Sequence, residues 1–496
     1  MEKQVPHPQE NLCPPRVLLF PLPEQGHVNR MLKLAEVLAL AGLHVTFLTT
    51  PFIHNRLTRH NDIETRFASY PGFLLKTISD GLPEDHPRSG ERKMELFISL
   101  NTVTKRLLKH MLATHQLGSN LSPSVSCIIA DGTLAGFTTD IATELQIPIL
   151  HFHGFCACAF WACSSIPNLI VTGELPVRDM DKLVTGVSGM ESFLRFRDLP
   201  SFCRASDTKD PILQGIARET RHISRGQGLI LHTFEELEGP ILSHIRTKYP
   251  NIYSIAPIHT HLKLKLKLKH ANKEVSSQPF NSLFEIDRTC MTWLDAQPLN
   301  SVIYVSFGST TVMTNDQLME FWYGLVKSKQ RFLWAIRHDM VHIQGEGDDG
   351  KNNIPAELTE GTKERGYMVG WAPQEEVLEH PSVCGFLTHS GMNSILESIM
   401  AGVPMICWPY HADQQVISRC VSVMWKIGLD MKDVCERNIV EKMVNDLMVE
   451  RREEFQKAVD DYRRLAIKSV SEGGSSYSNL DRLIQDIHKM NDKFPI

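Results

Sequence analysis

The sequence predicts an α/β protein built on two doubly wound parallel sheets. Two observations carry this prediction. Short apolar runs alternate with helix-like stretches in both halves of the chain, which is typical of parallel strands covered by helices. The chain has 496 residues, which is more than one hydrophobic core accommodates, so two domains are expected.

The predicted strands are the apolar runs that are bounded by polar or glycine-containing segments. In the first half they cover residues 17–20, 45–48 and 127–130. In the second half they cover 302–307, 332–336, 367–370, 385–388 and 404–407. A helix is predicted over 31–41, and Gly42 is placed where a helix commonly ends. The two halves share this pattern without sharing sequence.

Composition limits the classes of function and location. Hydrophobic residues make up 42% and charged residues 22%, with a formal net charge of −5, so neither nucleic acid nor an acidic membrane is expected as the main partner. The polar, proline-rich amino terminus lacks the apolar stretch of a secretory signal, and no run long enough for a membrane span occurs. The odd count of 11 cysteines favours reduced thiols. A cytoplasmic monomer without stable membrane insertion is expected.

Four segments follow from these patterns. Residues 1–258 form the first domain, 259–285 a linker, 286–474 the second domain and 475–496 a last helix. The linker contains alternating leucine and lysine, which we interpret as a solvated basic segment. The last helix carries an apolar stripe and is expected to pack back on the first domain; its members are Leu480, Leu483, Ile484, Ile487 and Met490.

The stretch PLPEQGHVNR, residues 21–30, follows the first predicted strand. Ligands bind at such strand-to-helix junctions in α/β proteins. A dinucleotide-binding loop would carry three spaced glycines, whereas this stretch has only Gly26. A nicotinamide-dependent dehydrogenase is therefore disfavoured, and the residue that stands out is His27.

A second junction lies between Trp371 and Gln414. A predicted strand runs into His389 and Gly391, and a helix begins there with Asn393 and Ser394 in its first turn. Free amides and the dipole at a helix start bind phosphate well.

Other residues of this segment suit the remaining parts of a nucleotide sugar. Glu397 lies four residues after Asn393, on the same helix face, where a carboxylate can accept from ribose hydroxyls. Trp371 offers a flat apolar face for a base. Asp413 and Gln414 combine an acceptor with a donor-acceptor, which suits sugar hydroxyls.

The ordered set resembles the plant secondary product glycosyltransferase signature, the donor-binding box of family 1 UDP-sugar glycosyltransferases. PLPEQGHVN resembles the amino-terminal histidine motif of that family, and YVSFGS (304–309) resembles its donor strand, so the resemblance spans nearly the whole chain. It implies the GT-B fold, in which two Rossmann-like domains face each other across a cleft.

The resemblance also implies a set of donor-binding residues. Trp371 would stack on uracil, Gln374 and Glu397 would hold ribose, and Asp413 and Gln414 would hold the hexose. His389, Asn393, Ser394 and Ser309 would contact the diphosphate. The complete implied set is Ser309, Trp371, Ala372, Gln374, His389, Gly391, Asn393, Ser394, Glu397, Trp408, Asp413 and Gln414. The final glutamine resembles members that use glucose, and the backbone of Trp408 would lie beside the sugar.

Two positions depart from the family pattern. Met392 stands where most members carry tryptophan, and His411 stands where an aromatic such as phenylalanine is common. Methionine can fill the same apolar space, so donor binding is expected to survive.

His27 is the expected general base. Transfer to an alcohol requires that the hydroxyl proton be removed as the new bond forms. Asp131 ends a predicted strand and resembles the aspartate that orients the catalytic histidine in this family; Asp140, inside the following helix, is a poorer candidate. One displacement at the anomeric carbon would convert an α-linked donor into a β-linked product.

No metal is expected, because the helix start and His389 can stabilise the leaving diphosphate. The triplet Asp179–Asp181 matches the pattern of metal-dependent transferases. Such a short pattern is frequent by chance and lies in a polar stretch, so we interpret it as surface.

The predicted function is that of an inverting UDP-glucose-dependent glucosyltransferase with a small lipophilic plant acceptor. Residues 80–97 resemble the branch that glucosylates iridoids of the 7-deoxyloganetic acid type. Flavonoid, phenolic and other terpenoid hydroxyls remain open, as does a carboxylate acceptor that would give a glucose ester. A nucleotide-sugar binding protein without turnover is the non-enzymatic alternative, which His27 and Asp131 disfavour.

Overall fold

The computed structural model describes residues 14–119, 124–269, 282–340 and 356–493. Two parallel sheets organise them. The first sheet contains β1 (Arg16–Phe20), β2 (His44–Thr49), β3 (Phe73–Thr77), β4 (Cys127–Asp131), β5 (Ile149–His153), β6 (Gly228–Leu231) and β7 (Ile252–Ser254). The second contains β8 (Val302–Ser306), β9 (Arg331–Ala335), β10 (Gly366–Val369), β11 (Val383–Thr388), β12 (Met405–Cys407) and β13 (Gly428–Asp430).

Helices cover both sheets. In the first half they are α1 (Gln25–Leu40), α2 (Pro51–His60), α3 (Ile63–Ala68), α4 (Lys93–Ser99), α5 (Lys105–Ala113), α6 (Ala135–Glu144), α7 (Ala157–Ser164), α8 (Ile166–Val171), α9 (Pro211–Ile223), α10 (Glu235–Lys248) and α11 (Ile258–Lys269). In the second half they are α12 (Thr289–Asp295), α13 (Asn315–Lys327), α14 (Ala356–Arg365), α15 (Gln374–Leu378), α16 (Met392–Ala401), α17 (Gln414–Arg419), α18 (Arg437–Asn445), α19 (Arg452–Val470) and α20 (Ser475–Lys493). Among the described residues, no helix combines the length and apolar character that crossing a bilayer demands.

The strand orders are β3-β2-β1-β4-β5-β6-β7 and β10-β9-β8-β11-β12-β13, and neighbouring strands are parallel. The predicted α/β class with two doubly wound sheets is confirmed. In each sheet the order reverses between two central strands, β1 and β4 in the first and β8 and β11 in the second. Ligands bind outside the carboxyl ends of strands at such a reversal, so each sheet directs one candidate site.

Two local predictions are corrected. Helix α1 begins at Gln25 rather than at residue 31, so His27 lies in its first turn and not in a loop. The solvated linker is wrong for its first part, because residues 258–269 form α11 and bury Ile258 and Leu262 in the same apolar core as α1. Residues 270–281 of the predicted linker lie outside the described residues.

The last helix, α20, packs on the first sheet. Leu480, Leu483 and Ile487 are buried in the apolar core that contains β1 and α1. The hydroxyl of Tyr253 in β7 donates to Asp486 over 2.9 Å. The chain therefore returns from the second half to the first, which ties the two sheets together.

Candidate active site

A cavity of about 630 Å³ lies between the carboxyl edges of the two sheets. Twelve of the fourteen residues singled out by sequence line it: His27, Ser309, Trp371, Ala372, Gln374, His389, Gly391, Asn393, Ser394, Glu397, Asp413 and Gln414. Asp131 lies behind His27, and Trp408 is treated below. The sequence motifs from both halves therefore meet at one site.

The catalytic pair predicted from sequence forms a direct contact. His27 Nδ1 lies 2.7 Å from Oδ2 of Asp131, at the end of β4, and the second carboxylate oxygen accepts from the backbone and hydroxyl of Thr133. Burial alone would raise the pKa of Asp131, but His27 and Arg30 hold it well below its usual range. The carboxylate is therefore ionised and accepts a hydrogen bond from the Nδ1–H of His27, which leaves Nε2 of His27 as the basic nitrogen.

Helix α16 begins opposite this pair. Its N-cap residue is Gly391, and no side chain caps the first turn, so its backbone amides are available to an anion. Asn393 Nδ2 donates to the backbone oxygen of Gly26 over 3.1 Å. This bond joins the first turn of α16 to the first turn of α1, next to His27.

His389 occupies a space that adjoining glycines leave open. A Cβ atom at Gly308 or at Gly391 would lie 2.5 Å from its ring, and Gly308 has a φ of +70°. Burial, with the charges of His411 and Arg337, lowers the pKa of His389 to about 3. The ring is therefore neutral near pH 7 and can donate one hydrogen bond to an anion.

The residues predicted to bind the nucleobase and the ribose also lie together in the cavity. The ring of Trp371 is stacked on Phe284, with 4.5 Å between centroids, which fixes the plane that one face of a nucleobase could meet. Gln374 Nε2 donates to Ser394 Oγ over 2.9 Å and to Glu397 Oε2 over 2.7 Å. Burial, reinforced by the charge of Glu375, raises the pKa of Glu397.

The two residues predicted to bind the hexose differ in how many hydrogen bonds they already make within the protein. Burial raises the pKa of Asp413 to about 7, and it lines the cavity. Gln414 Oε1 accepts from the backbone amides of Tyr410 and His411 at 2.8 and 3.0 Å. The carboxamide oxygen therefore holds the preceding loop. The NH₂ group lies 3.4 Å from His411 Nδ1, so one of its two N–H donors is left for a sugar.

The sequence predicts the backbone of Trp408 beside the sugar, which stays a prediction, and the side chain of Trp408 lies in the apolar core. Its side chain is 5% exposed and meets the rings of Phe307 and Phe321 edge-on. Its backbone amide donates to Thr388 in β11 over 2.8 Å. Trp408 therefore supports the site from the core and is not part of the cavity lining. Met392, by contrast, fills buried space as predicted and is 3% exposed.

The triplet Asp179–Asp181 lies away from the cavity. Asp181 accepts from Arg197 over 2.8 Å, and Asp179 Oδ1 accepts from the backbone amide of Asp181. These contacts are those of an exposed polar turn, as interpreted from the sequence.

The first half contributes cavity residues that sequence reasoning missed. Apolar side chains, including Met94, Phe97, Phe155, Phe202 and Ile212, line its side of the cavity. Four charged ones, Glu24, Arg30, Lys33 and Lys93, line it as well. Glu24 and Arg30 stand within or beside the quoted histidine motif, so a search for ionisable residues near His27 could have found them; the loops that supply the apolar ones carry no recognisable pattern.

Fold and site together define a glycosyltransferase of the GT-B class. A sequence profile described as UDP-glucoronosyl and UDP-glucosyl transferase matches residues 285–451. The chain is 55% identical over 485 residues to a 7-deoxyloganetic acid glucosyl transferase of Catharanthus roseus, covering 97% of this chain and 99% of that protein. It is 41% identical to a myricetin 3-O-rhamnoside 1,2-glucosyltransferase of Crocosmia x crocosmiiflora, covering 96% of each.

The fold is similar to that of Os79 from O. sativa, which was solved in complex with UDP. The TM-score is 0.78 at 24% identity, covering 95% of this chain and 100% of that one. With the two relatives above, this places the chain: it belongs to the UDP-glucosyl transferase family and is a UDP-glycosyltransferase. The predicted family and enzyme class are confirmed.

Proposed function

We propose that this enzyme transfers glucose from UDP-glucose to a hydroxyl of an iridoid acid of the 7-deoxyloganetic acid type and releases a β-O-glucoside. The observation that carries the mechanism is the His27–Asp131 pair, placed against the uncapped start of α16 by the bond from Asn393 to Gly26. A base and an anion-binding helix at one cavity are what a single displacement at a sugar carbon requires.

His27 removes the proton from the acceptor hydroxyl. Asp131 keeps the Nδ1–H tautomer and stabilises the imidazolium that forms. The acceptor oxygen attacks the anomeric carbon from the face opposite the diphosphate, so the carbon configuration inverts and the bond to the diphosphate oxygen breaks. The proton stays on His27 until it leaves to solvent.

The second sheet stabilises the departing UDP. The free amides at the start of α16 and the neutral ring of His389 donate to the diphosphate, with Ser309, Asn393 and Ser394 beside them. Trp371 holds uracil, Gln374 and Glu397 hold ribose, and Asp413 and Gln414 hold glucose. This charge stabilisation operates without a metal ion.

The acceptor class rests on two supports. The relative at 55% identity is named for 7-deoxyloganetic acid, whereas the relative at 41% is named for a flavonol glycoside. The apolar lining from the first half suits a small lipophilic molecule. A flavonoid acceptor is the second candidate, favoured by the 41% relative.

The free thiols of the ten described cysteines agree with a reducing compartment. We therefore propose that the protein works in the cytosol, and the monomeric state stays a prediction.

The direct test is to incubate the purified protein with UDP-glucose and 7-deoxyloganetic acid, a flavonol and a simple phenol in separate reactions. Mass spectrometry should detect a hexosylated iridoid acid formed faster than the other products. Mild alkali distinguishes the candidates for linkage, because a glucose ester is hydrolysed and an acetal glycoside is not. Preferred transfer to the flavonol, or an alkali-labile product, would contradict the proposal.

A further inference from the structure

Arg30 is a buried cation in the acceptor half of the cavity. Its charge helps to keep Asp131 ionised, but the mechanism assigns it no contact with the substrate. It lies three residues after His27 in α1, so the two side chains share a helix face. The residue is 8% exposed and lines the cavity. A guanidinium at such a place costs solvation free energy unless an anion or hydrogen-bond acceptors offset it.

The guanidinium is held in place from behind. Arg30 Nη1 donates to the backbone oxygen of Gly154 over 2.8 Å. A Cβ atom at Gly154 would lie 1.9 Å from Arg30 Cζ, so the glycine leaves the room that this side chain fills. The side chain is therefore fixed toward the cavity instead of extending to solvent.

The protein supplies no carboxylate in direct contact with it. Within the described ranges, no Asp or Glu oxygen lies within 4.0 Å of the Arg30 guanidinium, and its Nε has no hydrogen-bond partner. The nearest acidic groups are engaged elsewhere: Asp131 with His27, and Glu24 with Lys93 over 2.8 Å. The third, Asp413, belongs to the donor side of the cavity.

We propose that Arg30 binds the carboxylate of a carboxylic-acid acceptor while His27 faces the hydroxyl of the same molecule. This inference rests on the proposed function and assigns the acceptor class to one residue. A guanidinium presents paired donors that match a carboxylate, and residues three apart on a helix lie on one face, so both side chains line the same cavity. The carboxylate is thereby held at Arg30 and not at the base, so the hydroxyl is the nucleophile and the product is a glycoside.

The test compares 7-deoxyloganetic acid with its methyl ester, which keeps the hydroxyl and lacks the charge. The wild-type enzyme should prefer the acid by at least about tenfold in kcat/KM. Arg30→Met should raise KM for the acid by about 10- to 100-fold, the usual range for losing a hydrogen-bonded charge, and change KM for the ester by less than about threefold. Arg30→Lys should bind the acid better than Arg30→Met but less well than the wild type, because lysine restores the positive charge without the paired N–H donors of a guanidinium.

Lys93→Met is the matched control, since Lys93 is a cation of the same cavity that already pairs with Glu24. It should leave the ratio of acid to ester unchanged. Calorimetric affinity for UDP verifies that each variant is folded.

The possible outcomes separate the two proposals. Equal losses with acid and ester, or a wild-type enzyme that does not prefer the acid, would overturn the role of Arg30 alone. Failure of the wild-type enzyme to glucosylate either molecule would remove the proposed acceptor and this inference with it. If Arg30→Met does not fold, the wild-type preference and the Arg30→Lys ratio still decide the question.

Discussion

The two sheets have the same topology at their centres and present opposite charge chemistry to the cavity. In the first sheet, the strand beside the reversal ends in a buried carboxylate, Asp131, which is paired with His27. In the second sheet, the corresponding strand ends in His389 and an uncapped helix start. The strand beside the reversal is therefore followed by a proposed proton acceptor in the first sheet and by a proposed anion site in the second.

The difference shows how neighbouring groups determine the role of a partly buried histidine. His27 has a carboxylate at 2.7 Å that can stabilise a positive ring, so it can accept a proton. His389 lies among His411, Arg337 and helix amides, and burial in that company lowers its pKa to about 3. Its ring stays neutral and donates. In the proposed mechanism, the same type of side chain thus serves as a base in one half and as a hydrogen-bond donor in the other.

The largest expected effect comes from removing the base. His27→Ala should lower kcat for an alcohol acceptor by about 10²–10⁴-fold, because loss of a general base has costs of that size. UDP affinity should stay within about twofold, because the proposed nucleotide site lies on the second sheet. Steady-state kinetics and calorimetry measure the two quantities.

His110→Ala, an exposed position on α5, is the matched control and should change neither quantity. If His27→Ala retained most of its activity, His27 would not be the general base, and the proposed difference in role between His27 and His389 would be wrong.

Removing His389, the hydrogen-bond donor beside the second sheet, should lower activity somewhat less. His389→Ala is expected to lower kcat by about 10²–10³-fold, the range for losing one hydrogen bond to developing negative charge. Since the lowered pKa keeps the ring neutral well above pH 4, the loss should be the same at pH 6 and at pH 8. A loss that disappears at one of these pH values would mean that His389 acts by its charge.

Both sheets were predictable from sequence because their central strands are continuous apolar runs. Five strands were missed. β3 is a partly exposed strand at a sheet edge, and β7 and β13 have three residues each, too few to show a pattern. β5 and β6 are buried, but two histidines interrupt the apolar run of β5, and β6 has only four residues and begins with a glycine. The cavity residues in the two motifs were found for a related reason, since they follow the central strands directly.

Side-chain burial was beyond prediction, because it depends on residues far away in the chain. Trp408 is covered by Phe321 of α13, and Arg30 is placed by the absence of a side chain at Gly154. Neither neighbour is adjacent in sequence, so no local pattern marks it. The oxygen of Gln414 is likewise committed to a loop whose conformation the sequence did not reveal.

Donor choice tests the finer geometry of the second sheet. Glucose and galactose differ in the direction of one hydroxyl, and a buried group left unpaired costs about 1–3 kcal/mol, so UDP-glucose should be preferred by roughly 5- to 150-fold. Gln414→His should narrow this preference, because imidazole presents a different donor and releases the amides of Tyr410 and His411. Competition between the two donors in one reaction, with the products separated by chromatography, measures the ratio. Galactoside in excess would overturn the assignment of Gln414.

The smallest expected effect is that of a chelator. It tests whether the helix amides and His389 stabilise the diphosphate without help from a metal cation. Helix amides and His389 are positioned to stabilise the diphosphate, so excess EDTA should leave the rate within about twofold, well below the tenfold that 1.4 kcal/mol represents. Metal-depleted buffer provides the matched condition. Complete loss of activity, restored by magnesium or manganese, would mean that a cation shares this work. Because Asp181 is occupied by Arg197, such a cation would then have to be held elsewhere, and Asp413 and Glu397 are among the carboxylates that line the cavity.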